Sequence, residues 1–523
     1  MKIFFLNPPF LPKYSRCSRS PAVTKSGTIY YPIWLANATG YLEKHGHECD
    51  LVDAPADGLD REQVYQIARG FGPDLIVCDT TTPSIYSDVE VASALKRQHP
   101  DAFVVLVGTH ASALPEDTLQ LSQSVDAVAR HEYDETLREL AGALQSKKPL
   151  SGISSLTYRD GQTFRTNPNR SFLGNLDDIP FLSAVYLKHL NYKNYFYAHC
   201  RYPIISIFTS RGCTARCTFC VYPQTMFGQK HRARSPKNIA DEFEFIAKNF
   251  PDVKDLLVDD DTFSMDHNHA NAVCQELIRR GNKLTWTCEA RASMQYETMK
   301  IMKQAGCRLM VVGFESYDQG VLNNIKKGIA IKSMDRFIQD AKMAKMKVHA
   351  CFMAGNPGDT QETLEKTLQF ALRSRIDTAQ FFPVLVYPGT EMYHQAKTEG
   401  RITANSFKDW LTADGMHNSV VNMNDTMTTR NILDWCDAAR RRFYLRPGYI
   451  AYKGLQLFSE PQEALKTMKA FVTFSKHLFR NVSDRSGALT ERNKEGFKDK
   501  SEVNSVGAKK TQEEGQADAI KPA

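Results

Sequence analysis

Short apolar runs alternate with amphipathic stretches from the first residue to about residue 400. Runs rich in Val, Ile, Leu and Phe occupy residues 2–6, 48–52, 74–78 and 103–107, with a weaker one at 127–129. Between them, apolar positions recur at helical spacing over 33–45, 60–69, 86–99, 115–121 and 135–144. This alternation predicts a parallel sheet covered by helices on both faces, because such strands are buried on both sides. Five strands of this length suit a flavodoxin-like, Rossmann-type order, which binds ligands at the carboxyl ends of its strands. The rhythm resumes after residue 200, with strands over 204–209, 255–258, 285–288, 308–313, 348–353 and 378–384. Helices over 236–249, 267–280, 331–345 and 362–374, and one ending at 303, lie between them. Six βα units predict a partial (β/α)6 TIM-like barrel with its chemistry on the C-terminal strand ends.

The rest of the chain separates these two units and follows them. The fold class is α/β: a first domain over 1–150, a connector over 151–200, a barrel over 201–400, a helical C-terminal region over 401–480 and a polar, disordered tail over 481–523. In the connector, runs at 154–158 and 163–165 flank Arg159-Asp160-Gly161-Gln162, a hairpin with an Asp-Gly turn. The tyrosine-rich stretch 186–202 reads either as a substrate entrance or as packing between domains. Helices are expected over 431–445 and 461–480, and residues 440–480 carry nine Lys/Arg against two acids. That face suits an anionic membrane or an acidic substrate, or is simply a solvated surface.

Composition narrows the class. Hydrophobic content of 42% and charged content of 24% are those of an ordinary globular protein, and a net charge of +7 over 523 residues does not argue for nucleic acid. No apolar run is long enough for a transmembrane helix. The first run stops at Asn7-Pro8-Pro9, too soon for a signal peptide. Nine of the twelve cysteines show no paired spacing, which reads as reduced thiols in a cytoplasmic protein.

The other three are different. Ser210-Arg211-Gly212-Cys213-Thr214-Ala215-Arg216-Cys217-Thr218-Phe219-Cys220 puts Cys213, Cys217 and Cys220 at C-x3-C-x2-C spacing on a loop after a strand. Three thiolates there would hold an iron–sulfur cluster with one iron open, or a zinc ion, or be unrelated structural cysteines. Charged residues collect at the barrel's other strand ends: Asp259-Asp260-Asp261, Glu289-Ala290-Arg291, Glu315 and the Gly355-Asn356-Pro357-Gly358 turn. Arg291 can pair with a carboxylate and the acids with an ammonium or ribose hydroxyls, or each serves as an internal salt bridge or helix cap. In the first domain the strand ends carry Asn7, Asp53, Thr80-Thr81 and Gly108-Thr109-His110, either turn residues or small groups that admit a large ligand.

At the cysteine motif the chain resembles radical S-adenosylmethionine (SAM) enzymes. The resemblance implies that Cys213, Cys217 and Cys220 bind a [4Fe-4S] cluster whose fourth iron takes SAM, with Phe219 and Tyr222 flanking the adenine. The Asp-Asp-Thr-Phe, Glu-Ala-Arg, Gly-Phe-Glu-Ser and Gly-Asn-Pro-Gly-Asp segments resemble that family's blocks, which makes Asp260, Arg291, Glu315 and Gly355 SAM contacts. The first domain resembles the cobalamin (B12)-binding domain of one large branch, which places Asn7, Thr80, Thr81, Gly108 and His110 against the corrin. That branch often has a Gly-Gly-x-His segment after the fourth strand where this chain has Gly108-Thr109-His110, and Gly-Glu-x-Glu after the fifth where it reads Arg130-His131-Glu132-Tyr133-Asp134-Glu135. No Asp-x-His-x-x-Gly segment exists, so no histidine is expected below cobalt. The branch is class B methyltransferase-like and related to anaerobic Mg-protoporphyrin ester cyclase and hopanoid-associated enzymes. It implies methyl transfer to an unactivated carbon, or alternatively ring formation, ring contraction or oxidation of a lipid, terpenoid or tetrapyrrole. A flavodoxin or ferredoxin would supply electrons, and the substrate would be a small molecule or lipid; the basic face of 440–480 leaves peripheral membrane contact or a solvated surface open. A cobalamin or metal sensor, and a tRNA-modifying enzyme, are the rival classes. The retained cysteines and the lack of an RNA-binding module argue against each in turn.

Overall fold

The computed structural model describes residues 1–459 other than Lys25 and Arg375, with side chains as far as residue 456. The predicted helix over 461–480 and the tail beyond it lie outside the described residues. In the first sheet, β1 (Lys2–Asn7), β2 (Glu48–Asp53), β3 (Leu75–Thr80), β4 (Phe103–Gly108) and β5 (Ala127–Ala129) run parallel in the order β2-β1-β3-β4-β5. Ile3, Phe5, Ile76, Val77, Val104 and Val105 are wholly buried because helices cover both faces. The helices start where the chain offers caps. Arg61–Phe71, for example, opens with a capping box in which the Asp60 side chain accepts from the Gln63 N–H.

The hairpin β6 (Leu156–Asp160) and β7 (Thr163–Thr166) forms as expected, but not as part of a free connector. It adds antiparallel to β5 and extends the first sheet past residue 150. Leu156, Thr157 and Tyr158 are buried there, and the Arg159 guanidinium donates to the carbonyls of Leu119 (2.7 Å) and Ser122 (2.9 Å).

The second sheet comprises β8 (Ile204–Ile207), β11 (Asp255–Val258), β12 (Trp286–Ala290), β13 (Cys307–Glu315), β14 (Lys347–Ala354) and β15 (Thr378–Pro383), all parallel in that order. A two-residue ribbon, β9 (Ser210–Arg211) with β10 (Arg232–Ala233), branches from the end of β8. The barrel's outer face is apolar, with Val258, Cys288, Met310, Val312, Phe352 and Phe381 buried under helices. Its inner face alternates to polar groups, among them Asp255, Thr287, Glu289, His349, Cys351 and Gln380.

The six strands leave the barrel open, and both open edges are covered. At β8 the Tyr31 hydroxyl donates to the Ile204 carbonyl (2.8 Å). At β15 the Tyr444 hydroxyl accepts from the Ala379 N–H (3.0 Å) and donates to the Ala379 carbonyl (2.7 Å). Tyr444 ends the helix Thr429–Tyr444, which Thr428 opens with a capping box. The tyrosine-rich stretch resolves as packing: Tyr31 stacks on Tyr186 (4.4 Å) and Tyr195 (3.7 Å), and all three are essentially buried. Both sheets belong to one compact unit. Residues 8–32, which carry little regular structure, run from the first sheet to the second.

Candidate functional site

The three cysteines sit on a loop that is held at several points. Just before it, Asp260 accepts four hydrogen bonds: from the backbone N–H of Thr209 (2.6 Å) and Ser210 (3.0 Å), and from their hydroxyls (2.5 and 2.7 Å). Gly212 follows at φ +84°, and a Cβ there would lie 2.3 Å from the Lys230 carbonyl oxygen. The Gly212 N–H donates to Asp261 Oδ2 (2.9 Å). Gln224 Nε2 ties the far turn by donating to the carbonyls of Cys217 (3.3 Å), Thr218 (3.3 Å) and Cys220 (2.8 Å). Burial pushes the Cys220 thiol up, Cys217, Asp261 and Cys213 act in the same direction, and Arg19 acts against them. Among the described residues no three His, Cys, Asp or Glu side chains converge as one metal ion would require. The donor set the loop offers is three thiols with no histidine, which suits an iron–sulfur cluster with one iron left open.

Four of the rim residues expected to contact SAM do not play equal parts. Asp260 is fully buried with both oxygens engaged by the loop, so it anchors rather than contacts. Arg291 stays at the thiol pocket: it acts on Cys213, while its Nη2 donates to the Lys327 carbonyl (2.6 Å). Glu315, at φ +63°, accepts from Lys327 Nζ (2.8 Å) in a buried pair. A Cβ on Gly313 would lie 2.3 Å from the Glu315 carboxylate, so only glycine leaves room for that pair. Burial works against the Lys327 charge, but Glu315 and then Cys217 outweigh it and raise its pKa. Gly355 is turned elsewhere: its bare face is filled by Ile432, 2.8 Å from where a Cβ would stand. Phe219 is half-buried against the core, and Tyr222 is buried edge-on to Trp34 (6.1 Å).

Two residues from the 8–32 segment enter the barrel mouth. Arg19 Nη2 donates to the Asp260 carbonyl (2.5 Å), Nη1 to Asp259 Oδ1 (3.2 Å), and the guanidinium lies over the Tyr222 ring (5.6 Å). Glu289 stands 3.8 Å from the same guanidinium, and burial pushes its carboxyl up to about 7 against that attraction. Burial likewise lifts Asp261 to about 6. The Tyr30 phenol, whose ring lies edge-on to Tyr197 (4.8 Å), is raised by burial and then by Asp259 and Glu289. The sequence pattern gave no sign of Arg19, which lies in an aperiodic loop, whereas Tyr30 opens the Tyr30–Ala36 segment that resembles one in the hopanoid-associated enzymes. Glu289 had one: strand alternation puts it on the face of Thr287 and Arg291.

At the first sheet's rim, the expected cobalamin contacts are engaged by protein neighbours. Asn7 Nδ2 donates to Asp53 Oδ1 (2.7 Å) and Asn7 Oδ1 accepts from Arg16 (2.8 Å). The Thr80 hydroxyl donates to the Val107 carbonyl (2.7 Å), and the Thr81 hydroxyl is paired with those of Tyr14 and Ser84 (2.8 Å each). Gly108, at φ +101°, backs onto Asp79 and Thr80. His110 is buried: Nδ1 meets the Thr82 hydroxyl (3.1 Å), Phe407 lies edge-on to the ring (4.8 Å), and burial pushes its pKa down to about 3. Beside this rim, the Tyr133 hydroxyl is buried with no protein partner. Burial, then Asp79 and Cys17, raise its phenol. Asp79 accepts only from its neighbour Thr80 and is lifted by burial to about 7. A buried hydroxyl with no partner among the described residues fits a polar ligand at this junction.

The loop after β5 meets the thiol loop directly. His131 takes φ +63°, where the related pattern has glycine, and its Nδ1 lies 2.9 Å from the Thr225 carbonyl oxygen. Glu132 and Asp134 both receive Arg211.

A three-thiol loop at the mouth of a parallel half-barrel defines a radical SAM enzyme, and the Radical SAM superfamily profile matches residues 207–371. The B12 binding domain profile matches residues 19–141. The chain thus carries a B12-binding domain followed by a radical SAM domain. An uncharacterized methyltransferase of Pyrococcus horikoshii is 29% identical, over 86% of this chain and 93% of that protein. The anaerobic magnesium-protoporphyrin IX monomethyl ester cyclase of Cereibacter sphaeroides is 24% identical, over 84% of this chain and 71% of that one. The radical SAM methyltransferase TsrM of Kitasatospora setae, solved with cobalamin and a [4Fe-4S] cluster, shares the fold. Its TM-score is 0.64 at 17% identity, over 84% of this chain and 90% of that chain.

Proposed function

We propose that the protein is a cobalamin-dependent radical SAM methyltransferase acting on an unactivated carbon of a small molecule or lipid. One observation carries the reading: the thiol loop is docked against the loop that follows β5 in the B12 domain, so both cofactor faces open on one junction. Cys213, Cys217 and Cys220 are assigned to the cluster. Arg291 and the Glu315–Lys327 pair, which surround the thiols, would orient the carboxylate and ammonium of SAM, with Phe219 and Tyr222 beside its adenine. The corrin is assigned to the rim of Asn7, Thr80, Thr81, Gly108 and His110, near Tyr133 and the covering Tyr14 and Arg16. When bound, the cluster and SAM supply a carbon-centred radical and cobalamin the methyl group, while the protein's part is to orient and to exclude water. Glu289, Tyr30 and Cys351 line the lumen where substrate would lie. A flavodoxin or ferredoxin would deliver the electron, and reduced cysteines would suit a cytoplasmic enzyme.

The cyclase relative, matched over 84% of this chain, favours ring formation or oxidation as the second reading. Peripheral membrane contact rests on the exposed Ile450, Tyr452 and Leu455, because the nearby Arg442 is paired with Glu365 (2.7 Å). No described helix is long and apolar enough to cross a membrane.

The test is anaerobic reconstitution with iron, sulfide, SAM and hydroxocobalamin, then assay of 5'-deoxyadenosine. Mass spectrometry of lipids and metabolites from cells with and without the gene, fed methyl-labelled methionine, finds the product. Labelled methyl gain supports the proposal, loss of hydrogen without methyl gain selects the second reading, and absence of SAM cleavage overturns both.

A further inference from the structure

The ribbon β9–β10 forms the two stems of the thiol loop, and Arg211 and Arg232 stand opposite each other across it. Both arginines reach the first domain. Arg211 Nη1 donates to Glu132 Oε1 and to Asp134 Oδ2 (2.8 Å). Arg232 Nη1 donates to Glu132 Oε2 (2.8 Å) and to the Leu173 carbonyl (2.7 Å). No side chain of the four is more than 6% exposed. The Arg211 guanidinium is also packed over the rings of Phe208 (5.0 Å), Trp34 (5.5 Å) and Phe227 (5.5 Å).

Two buried cations meet two buried anions, so charge is balanced without solvent. Such a network is a poor choice for stability alone, since apolar packing of the same volume holds a fold as well. What it supplies is direction: a planar guanidinium fixes the carboxylates that approach it, and they fix it. Arg211 immediately precedes Gly212-Cys213, and Arg232 closes the same loop. Both ends of the segment that holds Cys213, Cys217 and Cys220 are therefore pinned to one acidic loop of the other domain.

We propose that Glu132 and Asp134 form a positioning latch through which the first domain sets the geometry of the thiol loop. The loop then holds its binding shape only with the first domain seated. The latch rests on the proposed role of the three thiols, and it gives a task to the two acids and to the arginine beside the motif.

Cofactor-free and reconstituted protein test it separately. In the cofactor-free full chain, iodoacetamide labelling of Cys213, Cys217 and Cys220 is followed by peptide mass spectrometry, with buried Cys274 as the internal reference for global opening. Asp134→Asn and Glu132→Gln should speed labelling of the three thiols tenfold or more and leave Cys274 unchanged. After reconstitution, the same variants should weaken SAM binding about tenfold and reduce the change that SAM produces in the electron paramagnetic resonance (EPR) spectrum of the reduced cluster. Arg211→Lys combined with Asp134→Asn should be no worse than either alone, because the pair acts as one unit. Glu132→Asp should recover much of what Glu132→Gln loses. Unchanged thiol labelling, or a parallel rise at Cys274, overturns the latch and leaves the network a plain structural contact. If Glu132→Gln does not fold, Asp134→Asn, which keeps the Glu132 anchor, decides. Failure of the wild type to bind SAM would refute the proposed function, while the labelling arm would still read the latch.

Discussion

Asp260 separates two roles that a sequence motif cannot. As an anchor, it satisfies two backbone N–H groups and two hydroxyls at the foot of the thiol loop, and it is fully buried. Asp260→Ala strands the two N–H groups with no acceptor and no access to water. Each such group costs about 1–3 kcal/mol, so the variant loses about 2–6 kcal/mol. At about 1 °C per kcal/mol for a chain of this size, the melting temperature falls by roughly 2–6 °C. Asp260→Asn keeps a carbonyl oxygen for the N–H groups, and its amide can donate to the two hydroxyls, which then act as acceptors. The anchor therefore predicts a steep order, with Asn close to wild type and Ala far below it, both in melting temperature and in iron bound after reconstitution. A direct SAM contact through the carboxylate charge predicts the opposite order of effects: Asn as damaging as Ala to SAM binding, with stability unchanged. Thermal denaturation and iron analysis on the two variants, with a SAM titration, distinguish these. Asp260→Ala with wild-type stability and iron content would refute the anchor.

Replacing Cys213, Cys217 or Cys220 by Ala should each abolish the visible absorbance of the reconstituted cluster, whereas Cys436→Ala should keep it; retained absorbance in any of the three rules out the ligand assignment. Glu289 is held at about 7 against 4.5 in the unfolded chain, so the folded protein keeps a proton that the unfolded one loses, and stability falls as pH rises through that window. Relative to wild type, Glu289→Gln should gain about 2–4 kcal/mol between pH 4.5 and 7 and then level off, and a difference in melting temperature that stays flat with pH would contradict this. His110 should not ligate cobalt: the EPR spectrum of the Co(II) form should lack nitrogen superhyperfine splitting and be unaltered by His110→Ala, and splitting that the variant removes would show the reverse.

The elements were legible because each strand is a dense apolar run between capped, periodic helices, a local signal. Thus 236–249 and 255–258 form as read. The hairpin at 156–166 was legible as a hairpin but not as a sheet edge, since its pairing to β5 depends on a partner about thirty residues away. The cysteines were legible because spacing alone carries their chemistry. Arg19 was not: it lies 240 positions from Asp259 in an aperiodic segment. Nor was the engagement of Asp260 by Thr209 and Ser210, since a carboxylate's partners are fixed by tertiary contact. The burial of His110 depends on Phe407, which comes from an irregular stretch nearly three hundred residues later. Gly355 read as an open approach for a ligand because nothing in the chain announces that Ile432 will fill it.

The two tyrosines that cover the barrel's edges bear on how this chain can be divided. An open parallel sheet presents unpaired donors and acceptors along its last strand, and those invite a second sheet. Here a single phenol takes both the donor and the acceptor of Ala379, so the helix Thr429–Tyr444 covers the groups a second strand would need. A chain cut before Thr429 would keep the first domain and the thiol loop it latches, and yet present the uncovered edge of β15 to every other copy. Solubility, rather than chemistry, then sets the shortest useful length of this enzyme.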